Sequence, residues 1–208
     1  MWEGRTSSSW AAAILAGGEA RRLGGIDKSA LVVGTASILD RQLAVLRGLT
    51  PHILIVTSDR ERVPPAPAGV QVVVDRVSGA GALGGVYTAL EEAATDQVFV
   101  IGCDMPFVTT PFVRYVVERG RDADVAVPRD ARGRHPLCAS YARRTVGHLR
   151  ARIEAGALRV GDALDGLDVR EIGPDELAPF DPDGRLLLNV NTPDDYARAR
   201  LAASDSVP

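Results

Sequence analysis

Short apolar runs separated by amphipathic stretches set the rhythm of the first half of this chain. Ala11 to Ala16 and Ile53 to Val56 are apolar runs with the pattern of buried strands, and Val70 to Val74 and Val98 to Ile101 are a third and a fourth strand. Between them the period changes. Ile38, Leu39, Leu43 and Leu46 fall at helical spacing and predict a helix over Ser37 to Arg47, with Ser37 as its N-cap. Val86, Ala89, Leu90 and Ala93 predict a second helix over Val86 to Ala94. Phe112, Val113, Val116 and Val117 predict a third, with Thr110 as cap and Pro111 in the first turn. Ala30 to Val33 forms a short strand or turn around Gly34, and Arg60 to Gly69, with three prolines, is a loop. Strands alternating with helices imply a parallel sheet covered on both faces, an α/β domain.

The second half is less regular. Val125 to Val127 and Pro136 to Tyr141 are expected strands around the polar turn Arg129 to Arg134, a hairpin-like insertion. Thr145 to Ile153 is a helix, and Asp165 to Ile172 and Leu186 to Val190 are strands. Thr192-Pro193-Asp194-Asp195 starts a last helix, with Thr192 as cap and Pro193 at the first position. Residues 1–9 are expected to be a disordered leader, 10–203 a single domain, and 204–208 a frayed tail.

Composition changes this picture little. The chain has 208 residues, 46% apolar and 25% charged, enough for one sizeable core. Its net charge of -3 gives no reason to expect a nucleic-acid partner, so an anionic ligand would have to be held by local cations. No apolar run approaches the roughly 20 residues of a membrane span. Met1 to Trp10 lacks the apolar centre of a signal peptide. Cys103 and Cys138 have neither metal spacing nor a secreted framework. The expected setting is the reducing cytoplasm, with no membrane.

The chemistry concentrates after the first strand. Gly17 and Gly18 end it, Gly24 and Gly25 follow, and Arg21, Arg22 and Lys28 sit on the same loop. Glycine lets backbone N–H groups approach an anion, and the cations point to a polyphosphate. Further polar groups stand where other strands end: Thr57, Asp75 and Asp104. In open parallel sheets that edge is where ligands bind. Asp104 is the sharpest, because Met105-Pro106 stops the strand and fixes the turn. A carboxylate held there is suited to Mg²⁺ on a bound triphosphate. The plainer reading of Asp104 is a turn cap, and that of Asp75 an ordinary strand-end acid.

Two familiar motifs do not fit. Gly79, Gly81 and Gly84 match the dinucleotide pattern, and Asp104 falls 20 residues later. Yet Arg76 to Ser78 lengthens the turn between Asp75 and the first glycine, and the match leaves Arg22, Asp27 and Lys28 without a role. Gly81 to Gly85 instead suits a flat ring or sugar lying against bare backbone. The first loop is not a Walker A motif either, because Asp27 stands where Gly should precede the lysine.

Taken in order, Leu15-Ala16-Gly17-Gly18, Arg21 to Gly25, Asp27-Lys28, Gly81 to Gly85, Cys103 to Phe107, His135 to Leu137 and Asn189 to Asp194 resemble the molybdenum cofactor guanylyltransferase family over residues 12 to 200. The resemblance implies a Rossmann-like three-layer domain with a mostly parallel central sheet. It implies transfer of GMP from GTP to the terminal phosphate of molybdenum-molybdopterin, releasing pyrophosphate, with Mg²⁺ as cofactor. GTP and molybdopterin would be the substrates, and cofactor insertion or delivery proteins are possible partners in the same scheme.

By position, the resemblance implies that Leu15, Ala16, Gly17 and Gly18 contact the nucleotide and that Lys28 handles its phosphates with Arg22. Asp75 and Gly81 would also meet the nucleotide, and Asp104 would be the metal ligand. Arg22, Lys28 and Asp104 would carry catalysis. Thr57 stands where the family has a nucleotide-contacting Asn, a departure that blurs base choice. Smaller departures are Leu23 for Met and Ala82 for Pro. His135, Asn189 and Asn191 would border the pterin. The asparagines could equally be a polar lead into the last helix, and His135 a strand-edge residue shaped by Pro136. A cytidylyltransferase on the same pterin, a sugar-phosphate nucleotidyltransferase and a non-catalytic nucleotide- or cofactor-binding module stay open as alternatives.

Overall fold

The structure is a computed structural model, and it describes residues 10–16, 30–58 and 68–204. The glycine-rich loop, most of the proline-rich loop, the leader and the tail from residue 205 lie outside the described residues. So do Gly17, Gly18, Arg22 and Lys28. Ser204, expected in the tail, is the last residue of the final helix.

The elements follow in chain order as β1 (Trp10–Leu15), β2 (Val32–Val33), β3 (Ala36–Ser37), α1 (Ile38–Arg47), β4 (Ile53–Thr57), β5 (Val70–Val74), α2 (Gly81–Glu92), β6 (Gln97–Gly102) and α3 (Thr110–Arg119). Then come β7 (Val125–Asp130), β8 (Gly133–Arg134), β9 (Cys138–Ala142), α4 (Val146–Glu154), β10 (Val169–Ile172), α5 (Pro174–Leu177) and α6 (Pro193–Ser204). The central sheet runs β10-β7-β9-β6-β1-β4-β5, with β8 hanging on β7. The pairs β1–β4, β1–β6, β4–β5 and β7–β10 are parallel, while β9 runs antiparallel to both β6 and β7. The sheet is therefore mixed, with a parallel majority.

The continuous apolar strands are explained by two core layers. Ala12, Ile14, Ile53, Ile55, Phe99 and Ile101 face α1 and α3. Ala11, Ala13, Leu15, Leu54, Val56, Val98 and Val100 face α2 and α4. Alternate residues of one strand thus feed opposite layers, and neither face is left for polar side chains. The chain builds β4 and β5 on one side of β1, then crosses to β6 on the other. That reversal is a topological switch point, and it opens a crevice at the carboxyl ends of β1 and its neighbours.

Several sequence expectations are met. Ser37 caps α1, its Oγ accepting from the Asp40 N–H at 3.0 Å. At α6, Thr192 Oγ1 accepts from the Asp195 N–H (3.1 Å), and Asp195 Oδ2 accepts from the Thr192 N–H (2.9 Å), a reciprocal cap.

Four expectations are corrected. The α3 cap position is Thr109, one residue earlier, and its side chain makes no capping bond. Helix α2 begins at Gly81, not Val86. Three close approaches explain that start in spite of glycine's poor helix propensity: a Cβ on Gly84 would lie 2.9 Å from Ala80 Cβ, 3.0 Å from Asp75 Oδ2 and 3.1 Å from the Val77 carbonyl. The segment around β9 is no insertion, since β9 fills the space between β6 and β7. Leu186 to Val190 is not a strand. Its backbone donors go to separate partners: Leu186 to Asp181 Oδ1, Leu188 to the Arg185 carbonyl and Val190 to the Asp104 carbonyl.

Candidate active site

A cleft of about 740 Å³ lies at the carboxyl edge of the sheet, a size suited to a nucleotide-scale ligand. Leu15, Thr57, Asp75, Gly81, Asp104 and Asn191 all line it. They come from five separate stretches of sequence, and the fold brings them together. Ala16, His135 and Asn189 are not among its lining residues. Arg22, Lys28, Gly17 and Gly18 lie outside the described residues; β1, which precedes them in the chain, ends at the cleft with Leu15.

The floor is built from backbone. Leu15 packs beneath Gly85, whose missing side chain brings Leu15 Cδ1 within 3.3 Å of where a Cβ would stand. The Ala16 N–H donates to the Val56 carbonyl at 2.8 Å. The sheet therefore already uses the N–H of Ala16, a residue that the resemblance implies in nucleotide contact.

Asp75 is fixed by its side chain. Its Oδ1 accepts from the Val77 N–H (3.0 Å) and from Thr88 Oγ1 (2.9 Å). Thr88 Oγ1 in turn accepts from the Arg76 N–H at 3.0 Å. Both readings of Asp75 thus have a place: one oxygen caps its own turn while the residue lines the cleft. Thr88 escaped the sequence reading, although a hydroxyl on the buried face of α2 was a visible signal.

Asp104 is fixed through its backbone. The Gly102 N–H donates to the Leu137 carbonyl (2.8 Å), the Cys103 N–H to the Leu15 carbonyl (3.1 Å), and the Val190 N–H to the carbonyl of Asp104 itself (2.8 Å). A Cβ on Gly102 would stand 2.7 Å from Asp104 Oδ1, so only glycine leaves the carboxylate its place. Burial, with the Asp104 charge as a smaller cause, pushes the Cys138 thiol up. That keeps Cys138 protonated and unsuited to nucleophilic work.

The predicted pterin-side residues separate. Asn191 lines the cleft, and its N–H donates to Asp195 Oδ2 at 3.1 Å in the α6 cap. Asn189 Oδ1 is buried with no hydrogen-bond partner. His135 turns toward the β7–β8 hairpin, where Nε2 stands 2.9 Å from Asp130 Oδ1. That contact is an ion pair when the ring is protonated, but it is off the line of a hydrogen bond. At Asp130, burial opposes the charge, but the His135 and Arg132 side chains outweigh it and hold the acid down at about 2. Arg132 also donates to the Leu187 carbonyl at 2.8 Å, tying this hairpin to the segment that leads to Asn189 and Asn191.

Among the described residues no group of three or more His, Cys, Asp or Glu side chains could hold a metal by itself. The cleft instead offers two carboxylates: Asp75, with one oxygen committed to its own turn and to Thr88, and Asp104, beside which Gly102 places no side chain. One carboxylate completed by substrate phosphate oxygens and water is a donor set that Mg²⁺ accepts. The residues fit such an ion.

The sequence pattern of the MobA-like NTP transferase domain matches residues 12–167. The chain belongs to the MobA-like NTP transferase family. It is 33% identical over 193 residues, 93% of either chain, to a probable molybdenum cofactor guanylyltransferase of Pelotomaculum thermopropionicum. It is also 33% identical over 187 residues to one of Chloroflexus aggregans, covering 88% of this chain and 89% of that one. The crystal structure of molybdopterin-guanine dinucleotide biosynthesis protein A from Archaeoglobus fulgidus superposes with a TM-score of 0.80 at 25% identity, over 93% of this chain and 98% of that one. The MobA-like match ends at residue 167, so Asn189, Asn191 and α6 lie beyond it, whereas most of β1, β2 to β6 and the Asp75 and Asp104 turns lie inside. Among the described residues no helix is long and apolar enough to cross a membrane.

Proposed function

We propose that the chain transfers GMP from GTP to the terminal phosphate of molybdenum-molybdopterin, releasing pyrophosphate and forming the guanine dinucleotide form of the cofactor. The observation that carries this reading is the meeting of Leu15, Thr57, Asp75, Gly81, Asp104 and Asn191 in one cleft, in a chain whose relatives bear that activity in their names.

The nucleophile in this reaction is a phosphate monoester with a second pKa near ~6. It is mostly dianionic at neutral pH and needs no general base. The cleft agrees with that requirement, because none of the three histidines lines it. What the protein must supply is alignment and charge neutralisation, since two anions have to meet. In this proposal Gly81 and the floor around Leu15 admit the nucleotide, and Asp75 accepts a hydrogen bond from it. Arg22 and Lys28 handle the phosphates, and Asn191, with Asn189 and His135 behind it, borders the pterin. Asp104 holds the divalent cation, taken to be Mg²⁺, which when bound draws charge from the triphosphate and from the departing pyrophosphate. A cytoplasmic setting belongs to the same proposal and is supported by two buried cysteines without a disulfide.

The test is to incubate the full chain with Mg²⁺, molybdenum-loaded molybdopterin and each nucleoside triphosphate in turn, and to measure pyrophosphate. Release with GTP that depends on the pterin is the expected result. Preference for CTP, or no release with any nucleotide, would overturn it.

A further inference from the structure

Gln42 is fully buried on the stripe of α1 that otherwise sends Ile38, Leu39, Leu43 and Leu46 into the core. Its Nε2 donates to the Gly102 carbonyl (2.8 Å) and to the Met105 carbonyl (3.0 Å). Those two residues bracket Cys103-Asp104. Its Oε1 is buried with no hydrogen-bond partner. The amide orientation is set by chemistry, since the opposite one would turn its oxygen toward two carbonyl oxygens. A leucine would complete the apolar stripe without any buried polar atom. The glutamine instead carries an unmet acceptor, which is unfavourable in itself. Both bonds it makes in return are to the turn that carries Asp104.

The preceding residue of α1 extends the grip. Arg41 Nε donates to the Pro106 carbonyl at 2.9 Å. Helix α1 thus holds the carbonyls of Gly102, Met105 and Pro106 from below, while the Val190 N–H holds that of Asp104. Gln42 is not among the cleft-lining residues, so whatever it does for a ligand it does through this turn.

We propose that Gln42 is a positioning residue for the metal site: it locks the 102–105 turn so that the Asp104 carboxylate meets the divalent cation in a single geometry. The inference rests on the reading that Asp104 holds that cation. Orienting groups behind a metal ligand typically change metal affinity by 10- to 100-fold when lost, and Gln42 acts at one remove, through backbone.

The experiment uses the full chain with a non-hydrolysable GTP analogue and Mn²⁺ as the probe, its binding followed by electron paramagnetic resonance. Gln42→Leu and Gln42→Met remove both donors together with the unmet acceptor, and Asp104→Ala is the reference. Both Gln42 variants should melt close to the wild type and bind Mn²⁺ about 10-fold more weakly, with unchanged affinity for the analogue at saturating metal. Mn²⁺ binding unchanged in both variants but weakened in Asp104→Ala would overturn the role of Gln42 and leave the metal reading standing. Melting far below the wild type in both variants would overturn it too, by making Gln42 a general core residue. Unchanged Mn²⁺ binding in Asp104→Ala would remove the metal reading itself, and this inference with it.

Discussion

Asp75 and Asp104 both stand at the carboxyl edge of the sheet and line the same cleft, yet Asp75 has its carboxylate tied to its own turn, besides an N–H that donates to the Thr57 carbonyl, whereas the turn of Asp104 is pinned through successive peptides. At Asp75, one carboxylate oxygen is committed to the Val77 N–H and the Thr88 hydroxyl, so the acid presents a fixed direction. At Asp104, the Gly102, Cys103, Asp104 and Met105 peptides are each bonded to another part of the fold, and Gly102 clears the space beside the carboxylate. Fixing the side chain suits an acceptor that must meet a particular donor on a ligand. Fixing the peptides on both sides suits a ligand to an ion, which needs a rigid origin for a carboxylate that lines the cleft. The two acids are similar in sequence context and differ in what the fold leaves them to do.

The sharpest way to break this comparison is to remove each acid's distinguishing feature. Asp104→Ala should lower guanylyl transfer at least ~100-fold with little change in thermal melting. Pyrophosphate release measures it, and near-normal turnover would end the metal assignment. Gly102→Ala should come next. The added methyl would stand 2.7 Å from Asp104 Oδ1, so the carboxylate must move. A loss of about 10-fold or more in turnover is expected, partly recovered at high Mg²⁺. Turnover unchanged at every Mg²⁺ concentration would show that the cleared space is incidental.

Thr88→Val tests the other acid. Losing one hydrogen bond to a carboxylate is worth about 1–3 kcal/mol, and it should appear as weaker GTP binding by equilibrium titration. If kcat fell as far as GTP affinity, Asp75 would be acting in the chemistry and the contrast with Asp104 would fail.

The smallest effect involves an acid that lies away from the cleft. Asp130 drops from 3.8 to about 2 in the fold, so its stabilising contribution is complete above pH ~4 and is lost as pH falls through ~2. Asp130→Asn should flatten that acid limb of the stability curve, followed by denaturant melts between those values. An unchanged limb would mean that the His135 and Arg132 contacts do not bear on stability.

How much of this was legible in the sequence varies by element. The central strands were plain because a strand covered on both faces must be apolar throughout, and Asp75 and Asp104 were plain because each follows an apolar run, although β5, which leads to Asp75, is an edge strand with Gln71 and Val74 exposed. Asn191 was reached only through resemblance, since a polar residue before a helix cap has an ordinary explanation, and the α6 cap does use its N–H. Glycines 81–85 looked like loop because helix propensity is local information, whereas the contacts that forbid a Cβ at Gly84 come from Asp75, Val77 and Ala80. Leu186 to Val190 has the apolar character of a strand, but character does not supply a neighbouring strand. Gln42 was overlooked while its apolar neighbours were counted. A polar residue inside a helical core stripe is a signal that pattern matching for apolar positions discards. The roles of Arg22 and Lys28 rest on the sequence, because they lie outside the described residues.

The reversed direction of β9 has a consequence for how such a domain can change. A parallel strand delivers its exit to the cleft and needs a crossover to return, so altering it disturbs a helix as well. Strand β9 runs the other way: Cys138 pairs with Ile101, and the Gly102 N–H reaches Leu137. The loop that feeds β9 therefore arrives at the same rim as Asp104. That loop belongs to a hairpin, β7 with β8, and hairpins can lengthen or change composition without moving the strands behind them. The molecule is in this sense built like a tool with a fixed handle and a replaceable jaw. Parallel strands set one wall of the cleft, and the antiparallel β9 lets the opposite wall be redrawn for a different acceptor.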